Sequence, residues 1–312
     1  MNQYCFGVDL GGTTVKIGLF DPEGTVLEKW EIPTRKDDNG KHILPDIAAA
    51  VLGKMEEKNI SKEAVIGVGI GVPGPVDDEG VVYKAVNLGW DVMNISDILG
   101  ELLQIPVKAG NDANVAALGE MWCGGGKGCK NMVLVTLGTG VGGGIIVNGK
   151  MLTGATGAGG EIGHIHMQDG EPEACGCGNH GCLEQYASAT GIVRLASRKL
   201  AATSEDSVLR KEEITAKTVF DAVKAGDKVA CEIAEEFGEY LGKGLAAIAG
   251  VVNPEAFVIG GGVSKAGEIL LEYVSKNYVK HVFHGSQDAA FKLATLGNDA
   301  GIYGAAKLVL NK

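Results

Sequence analysis

The chain has 312 residues, 45% of them hydrophobic, enough to bury one large core or two ordinary ones, with two lobes the better expectation. Its formal net charge of −11 argues against nucleic acid or an anionic membrane as partner, since either calls for a basic surface. Seven cysteines are too few and too clustered for a disulfide framework, no apolar run is long enough to span a bilayer, and residues 1–4 lack the pattern of a signal peptide, so the expected location is cytoplasmic.

The 49 glycines gather in loops between apolar runs, where they permit close approach of backbone to a ligand. Three strands open the chain, at residues 4–10, 15–20 and 25–32, as an antiparallel meander. The first hairpin carries Asp9 at a strand end and the backbone N–H groups of Gly11, Gly12 and Thr13, an arrangement that cradles phosphate oxygens and that also describes an ordinary turn. A helix is predicted over 43–58 and a buried strand over 65–72, leading into a rigid turn at Pro73-Gly74-Pro75-Val76-Asp77 that sets backbone against another segment. Asn87-Leu88-Gly89-Trp90 reads as a polar loop, 105–109 as a strand and 115–122 as a helix. Asp112 stands just before that helix, where an N-cap is as natural a role as a chemical one.

Residues 123–128, Cys-Gly-Gly-Gly-Lys-Gly, read as a hinge or boundary, and beyond them the opening pattern recurs. Strands over 131–137 and 141–148 flank the turn Gly138-Thr139-Gly140, so that Val135-Thr136-Leu137-Gly138 repeats Val8-Asp9-Leu10-Gly11, the mark of an internal duplication. Gly138, Gly140 and Gly143 satisfy G-x-G-x-x-G, but the β-branched run after them is a strand and not the helix a dinucleotide site requires. Gly144, Gly149 and Lys150 nearly satisfy the P-loop pattern, but Met151 occupies the place of its Ser or Thr.

Between Gly163 and Gln185, Cys175, Cys177 and Cys182 stand close together in a Gly-rich, charged stretch that cannot be a hydrophobic core. Three thiolates and one imidazole close a tetrahedral zinc site of the structural kind, with Gly176, Gly178 and Gly181 supplying the tight turns. Spacing leaves the nitrogen ligand open among His164, His166 and His180. Glu161 and Glu184 flank the loop, either aimed by the metal toward a pocket or simply solvated. Helices follow over 189–202, 215–225 and 227–252. A strand over 256–259 then runs into Gly260-Gly261-Gly262 and a helix from Ser264, a nucleotide-approach pattern. A strand over 292–296 and a helix over 301–310 come last.

Asp9-Leu10-Gly11-Gly12-Thr13, Asn111-Asp112, Leu137-Gly138-Thr139-Gly140, Glu161-Ile162-Gly163-His164, the three cysteines and Gly260-Gly261-Gly262 together resemble the signatures of the ROK family of sugar kinases, in family order along nearly the whole chain. The resemblance implies an α/β, actin/hexokinase-like (ribonuclease H-like) duplicated fold, with an interlobe cleft and a zinc-bound loop. Its lobes would be 1–122 with 300–312, and 123–299. It further implies an ATP-dependent glucokinase using Mg2+ and structural Zn2+, with a kinase for another hexose or N-acetylmannosamine as the alternative. A non-catalytic sugar-sensing regulator is a more remote one, since such members carry a DNA-binding domain ahead of the first strand.

By the same resemblance Asp112 is the general base for the sugar 6-hydroxyl, and Gly11, Gly12, Thr13, Gly138, Thr139 and Gly140 hold ATP phosphates. Asp9 contacts magnesium, and Gly261 and Gly262 lie near the adenosine. His164 is the zinc nitrogen and borders the sugar, with Glu161, Glu184, Asn87 and Asn111 as further sugar partners. Homodimers or homotetramers are the assemblies it implies.

Overall fold

The computed structural model describes residues 3–83 and 85–310. The chain separates into two compact units, Met1–Lys130 with Gly144–Gly160 and Leu296–Lys312, and Asn131–Gly143 with Glu161–Thr295. Packing thus assigns 123–130, 144–160 and 296–299 to the first unit, where the sequence pattern keeps 123–299 as one lobe.

In the first unit β1 (Tyr4–Leu10), β2 (Thr14–Phe20) and β3 (Val26–Pro33) form the antiparallel meander. β4 (Val65–Val72) pairs with β1 in parallel. After a two-residue hairpin, β5 (Val81–Val82) and β6 (Met93–Asn94), β7 (Val107–Asn111) extends β4, again in parallel. β3 is one of the two edge strands and alternates half-buried and exposed residues, whereas β1 and β4 are covered on both faces and read as nearly continuous apolar runs. α1 (Ile43–Glu57), α2 (Ile95–Leu103) and α3 (Asp112–Cys123) pack around this sheet.

No element is expected from the sequence between Trp90 and Ile105, yet α2 lies there. Asn94 caps it by accepting the Asp97 N–H, and Ile95, Leu99 and Leu103 bury one face at a spacing of four.

The last helix, Ala300–Leu310, lies against β1 and β4 unusually closely. A Cβ on Gly69 would fall 1.7 Å from the Ala305 carbonyl oxygen, and one on Gly7 would fall 1.9 Å from that of Ile302. Only glycine lets a helix backbone approach a strand this closely. Cys5 and Phe20 share a fully buried cluster with Ile302 and Ala306.

The second five-stranded sheet repeats the plan. β8 (Met132–Leu137) leads through the Gly138–Gly140 turn into β9 (Val141–Val147), which pairs antiparallel with β10 (Lys150–Met151). The unit boundary falls inside β9, after Gly143. α4 (Ala189–Ala202), α5 (Ala216–Lys224) and α6 (Lys228–Val252) precede β11 (Ala256–Gly260), which lies parallel to β8. α7 (Glu268–His281) then leads to β12 (Ala290–Leu293), parallel to β11. The strand orders β3-β2-β1-β4-β7 and β10-β9-β8-β11-β12 match position for position, the structural counterpart of the repeated Leu-Gly turn.

Along α6, Ala230, Ile233, Ala234, Phe237, Leu241, Leu245 and Ile248 are buried, as their helical spacing predicts. The helix expected from Ser264 begins four residues later. Val263–Ala266 is a 3-10 turn, Gly267 takes φ +84°, and α7 starts at Glu268. Among the described residues no helix is long and apolar enough to cross a membrane.

Candidate functional site

In the first unit, the β1–β2 turn is fixed by its own backbone. Gly11 N–H donates to the Thr14 carbonyl (3.0 Å), while Thr34 donates its N–H to the Thr13 carbonyl (2.9 Å) and its hydroxyl to that of Gly11 (2.7 Å). The carbonyls are therefore held back, and the amides of Gly12 and Thr13 meet no protein acceptor among the described residues. Of the three N–H groups named from the sequence, two remain available to an anion.

Asp9 lies opposite Lys16 in the β1–β2 ladder, and its carboxyl fills the space where a Cβ on Gly301 would come within 2.5 Å. Burial raises the Asp9 pKa, and Lys16 pulls it back. Lys16 is itself anchored, its Nζ donating to the Asn298 carbonyl at 3.0 Å. Hairpin register alone could have paired Lys16 with Asp9 from the sequence.

Asp112 is the first residue of α3, and the cap is its neighbour. Asn111 Oδ1 accepts the N–H groups of Ala113 and Asn114, both at 3.1 Å, and its Nδ2 donates to the Gly74 carbonyl at 3.1 Å. The N-cap role weighed for Asp112 thus belongs to Asn111. Asp112 Oδ1 also accepts the Ala113 N–H, at 2.7 Å. Asn111 has one amide hydrogen left for any ligand, which narrows its part as a sugar partner.

Asn114, buried one turn on, donates to the Gly159 carbonyl at 3.0 Å and ties the 154–160 loop to α3. The rigid 73–77 turn meets that same loop, since a Cβ on Gly157 would come within 2.5 Å of Val76 N. Asn87 is exposed in a single 3-10 turn, Val86–Leu88.

In the second unit, His164 and the three cysteines converge, with one donor atom from each lying within 4.8 Å of every other. His164 Nδ1 is 3.7 Å from Cys175 Sγ, and Cys177 Sγ is 3.7 Å from Cys182 Sγ. A tetrahedron of ligands at zinc–sulfur bond length has edges of about 3.7 Å, so the four atoms suit a closed zinc shell. Burial and hydrogen bonding from the neighbouring thiols push Cys182 up to about 12, so ionising all three thiols together calls for a cation among them.

The choice left open by spacing falls on His164. His166 engages the His180 carbonyl (3.0 Å) and Asp169 (2.9 Å), and His180 Nδ1 engages the Glu171 carbonyl (2.9 Å). Gly178 and Gly181 take positive φ, and Gly176 does not.

The loop has an anchor that the sequence does not announce. The Glu171 side chain is only 2% exposed and accepts hydrogen bonds from Tyr186 Oη, Arg194 and Arg198. Burial alone would raise its pKa, but the bonds from Tyr186 and Arg198 outweigh it and hold the carboxyl at about 2. Arg194 and Arg198 are one helical turn apart on α4, the one local signal for this cluster.

Glu161 is exposed, its carboxylate 3.9 Å from His164 Nε2. Glu184 is half-buried at the head of a single helical turn, Glu184–Ala187. Its Oε2 accepts the Val141 N–H at 3.0 Å, and its Oε1 lies 3.5 Å from Cys175 Sγ. Glu184 is thus held beside the cluster, whereas Glu161 stays exposed to solvent at its edge.

The Gly138–Gly140 turn repeats the β1–β2 logic. Gly138 N–H bonds the Gly140 carbonyl, and the amides of Thr139 and Gly140 meet no protein acceptor among the described residues. Gly261 takes φ +84°, and a Cβ there would fall 2.4 Å from the Leu137 carbonyl oxygen. Gly262 is open and lines a cavity of about 160 Å³ with Lys217, Phe220 and Lys265. The first unit thus offers a turn with two open amides and a carboxylate at a helix start, and the second a turn with two open amides and Glu184 held beside the metal-type cluster.

The model of the ROK family matches residues 5–312. A glucokinase of Halalkalibacterium halodurans is 45% identical over 99% of this chain and 95% of its own length. A glucokinase of Thermotoga maritima is 37% identical over 97% of this chain and 96% of its own. Among solved structures, a ROK family glucokinase from Streptomyces griseus in complex with glucose and AMPPNP superposes with a TM-score of 0.73 at 37% identity, covering 98% of both chains.

Proposed function

Because the chain belongs to the ROK family, we propose that it is an ATP-dependent glucokinase, transferring the γ-phosphoryl group of ATP to the 6-hydroxyl of glucose. The observation that carries this reading is the 45% identity with a glucokinase over 99% of the chain, a span that includes both half-sites.

In the reaction Asp112 accepts the 6-hydroxyl proton as that oxygen attacks the γ-phosphorus. The bond from phosphorus to the bridging oxygen of ADP breaks, and the products are ADP, glucose 6-phosphate and the proton held on Asp112. Little of the catalysis is covalent, so the remaining residues position and neutralise. The amides of Gly12 and Thr13, and those of Thr139 and Gly140, hold phosphate oxygens. Gly11 and Gly138 shape these turns, and Gly261 and Gly262 border the adenosine.

Magnesium, which Asp9 would meet, supplies positive charge to the transferring phosphates. His164, Cys175, Cys177 and Cys182 would hold zinc, which would supply rigidity to their loop. Glu161, Glu184 and His164 accept or donate hydrogen bonds at the sugar hydroxyls, with Asn87 and the free amide hydrogen of Asn111 as further partners. A buried hydroxyl left unpaired costs about 1–3 kcal/mol, which is how such a site selects its sugar. The proposal includes a cytoplasmic enzyme acting at the entry to glucose breakdown as a homodimer or homotetramer.

The test is ADP release with magnesium-ATP against glucose, mannose, fructose and N-acetylmannosamine side by side. A kcat/KM favouring glucose by a large ratio is expected. A preference for another sugar would replace the substrate and keep the chemistry. No turnover with any of them, from zinc-loaded folded protein, would refute the kinase reading in favour of sugar sensing.

A further inference from the structure

The Gly138–Val141 turn is held at three points by residues that directly follow the cysteine loop. Ala189 N–H donates to the Gly138 carbonyl and Thr190 Oγ1 to the Thr139 carbonyl, both at 2.8 Å, and Val141 N–H donates to Glu184 Oε2 at 3.0 Å. The first two bonds turn the carbonyls away from the amides of Thr139 and Gly140. The third joins the turn to the metal loop, because Glu184 stands two residues after Cys182, a member of the four-residue cluster. Gly140 gives that carboxylate its place. A Cβ there would lie 2.1 Å from Oε2, and the three nearest atoms to it all belong to Glu184.

We propose that Glu184 is a positioning residue for the nucleotide, coupling the four-ligand metal cluster to the turn so that its two amides stay aimed at phosphate. This rests on the reading that the turn receives ATP phosphates. An anion cradle works when its donors are fixed before the ligand arrives. A carboxylate carried two residues after a metal ligand, Cys182, and bound to the turn fixes them through a single side chain. The metal loop then influences nucleotide binding when no sugar is present.

The experiment uses the zinc-loaded full chain without sugar, titrated calorimetrically with magnesium and a non-hydrolysable ATP analogue, with amide hydrogen exchange followed over residues 137–142. Glu184→Ala should weaken the analogue by about tenfold, the scale of one lost hydrogen bond to a charged group, and speed exchange at Val141. Glu184→Gln keeps an oxygen for the Val141 N–H and should bind within about threefold of wild type. Gly140→Ala, which leaves every metal ligand in place, should expel the carboxylate and reproduce the Glu184→Ala loss, and the double variant should be no worse than either single one. Because Gly140→Ala alters no metal ligand and keeps its own backbone N–H, it keeps the test valid if Glu184→Ala sheds zinc.

Wild-type affinity in both Glu184→Ala and Gly140→Ala, or losses that add in the double variant, would overturn the coupling. If the analogue binds wild type without protecting Thr139 and Gly140, the phosphate role of the turn fails first and the coupling with it. If it protects them and neither substitution weakens binding, the coupling alone fails.

Discussion

Replacing Asp112 with asparagine should leave a folded protein that scarcely turns over. The structural cost is bounded by Asn111, whose Oδ1 already accepts the amides of Ala113 and Asn114 at 3.1 Å, so α3 keeps its cap. The Ala113 N–H that Asp112 also receives retains that second acceptor. The expected loss of stability is under about 0.5 kcal/mol, against about 1 kcal/mol when a true cap is removed. In melting temperature that is a shift of no more than about 2 °C for a protein of this size.

The chemical cost is of another order, because a positioned base contributes roughly 10²- to 10⁴-fold, or about 3–5 kcal/mol of barrier. The glucose KM should move little, since asparagine can still hydrogen-bond the hydroxyl. Asn111→Ala should show the opposite balance, a lower melting temperature with a smaller fall in kcat. Coupled ADP release and thermal melts on the zinc-loaded variants measure both quantities. Turnover of Asp112→Asn within threefold of wild type, or a melting loss equal to that of Asn111→Ala, would refute the assignment of base and cap.

Cys177→Ser should lower zinc content and glucose affinity together, read by elemental analysis and sugar titration. Affinity retained after the metal is lost would show that Glu161 and Glu184 need no zinc to be placed. Gly69→Ala must push the last helix away from β4, because its Cβ would start 1.7 Å from the Ala305 carbonyl oxygen. A loss of about 1–3 kcal/mol is expected in a denaturant titration, and unchanged stability would refute the close approach. The Glu171 carboxyl is held at about 2 against its ordinary value of 4.5, so its stabilising effect is complete above pH 4.5 and fades as the pH falls toward 2. Denaturation midpoints measured across that window should fall more gently for Glu171→Gln than for wild type, from a lower starting point at neutral pH. Parallel curves would refute the role of the cluster.

Local features were legible in the sequence. The repeated Leu-Gly turn announced two equivalent sheets because each hairpin needs only its own neighbours. The buried face of α6 followed from spacing alone. Where two adjacent residues can play one part, sequence does not choose. Asn111 and Asp112 are both good caps, and only the backbone φ/ψ at Asn111 decides between them. His164 stands out from His166 and His180 only once the other two are seen bonded elsewhere. Gly267, with its positive φ, displaced the start of α7 by four residues.

The unit boundary inside β9 was illegible for a different reason. Gly144 belongs with the first unit because it receives Ala117 and the Ala113 carbonyl, and those partners lie almost thirty residues upstream. The α2 helix, by contrast, carried its cap and its fourfold spacing in plain view, obscured by the polar loop just before it.

The bed that the last helix occupies has a consequence for the making of the protein. Cys5 and Phe20 are made well ahead of the residues that cover them, Ile302 and Ala306, which come almost three hundred residues later. At about 5–20 residues per second, β1 and β4 wait on the order of tens of seconds with one face bare. No shorter nascent chain can complete the first unit, however early its strands pair. A chain broken upstream of Ala300 therefore lacks the helix that covers this face, and the apolar surface left bare is of the kind that makes incomplete chains prone to aggregate.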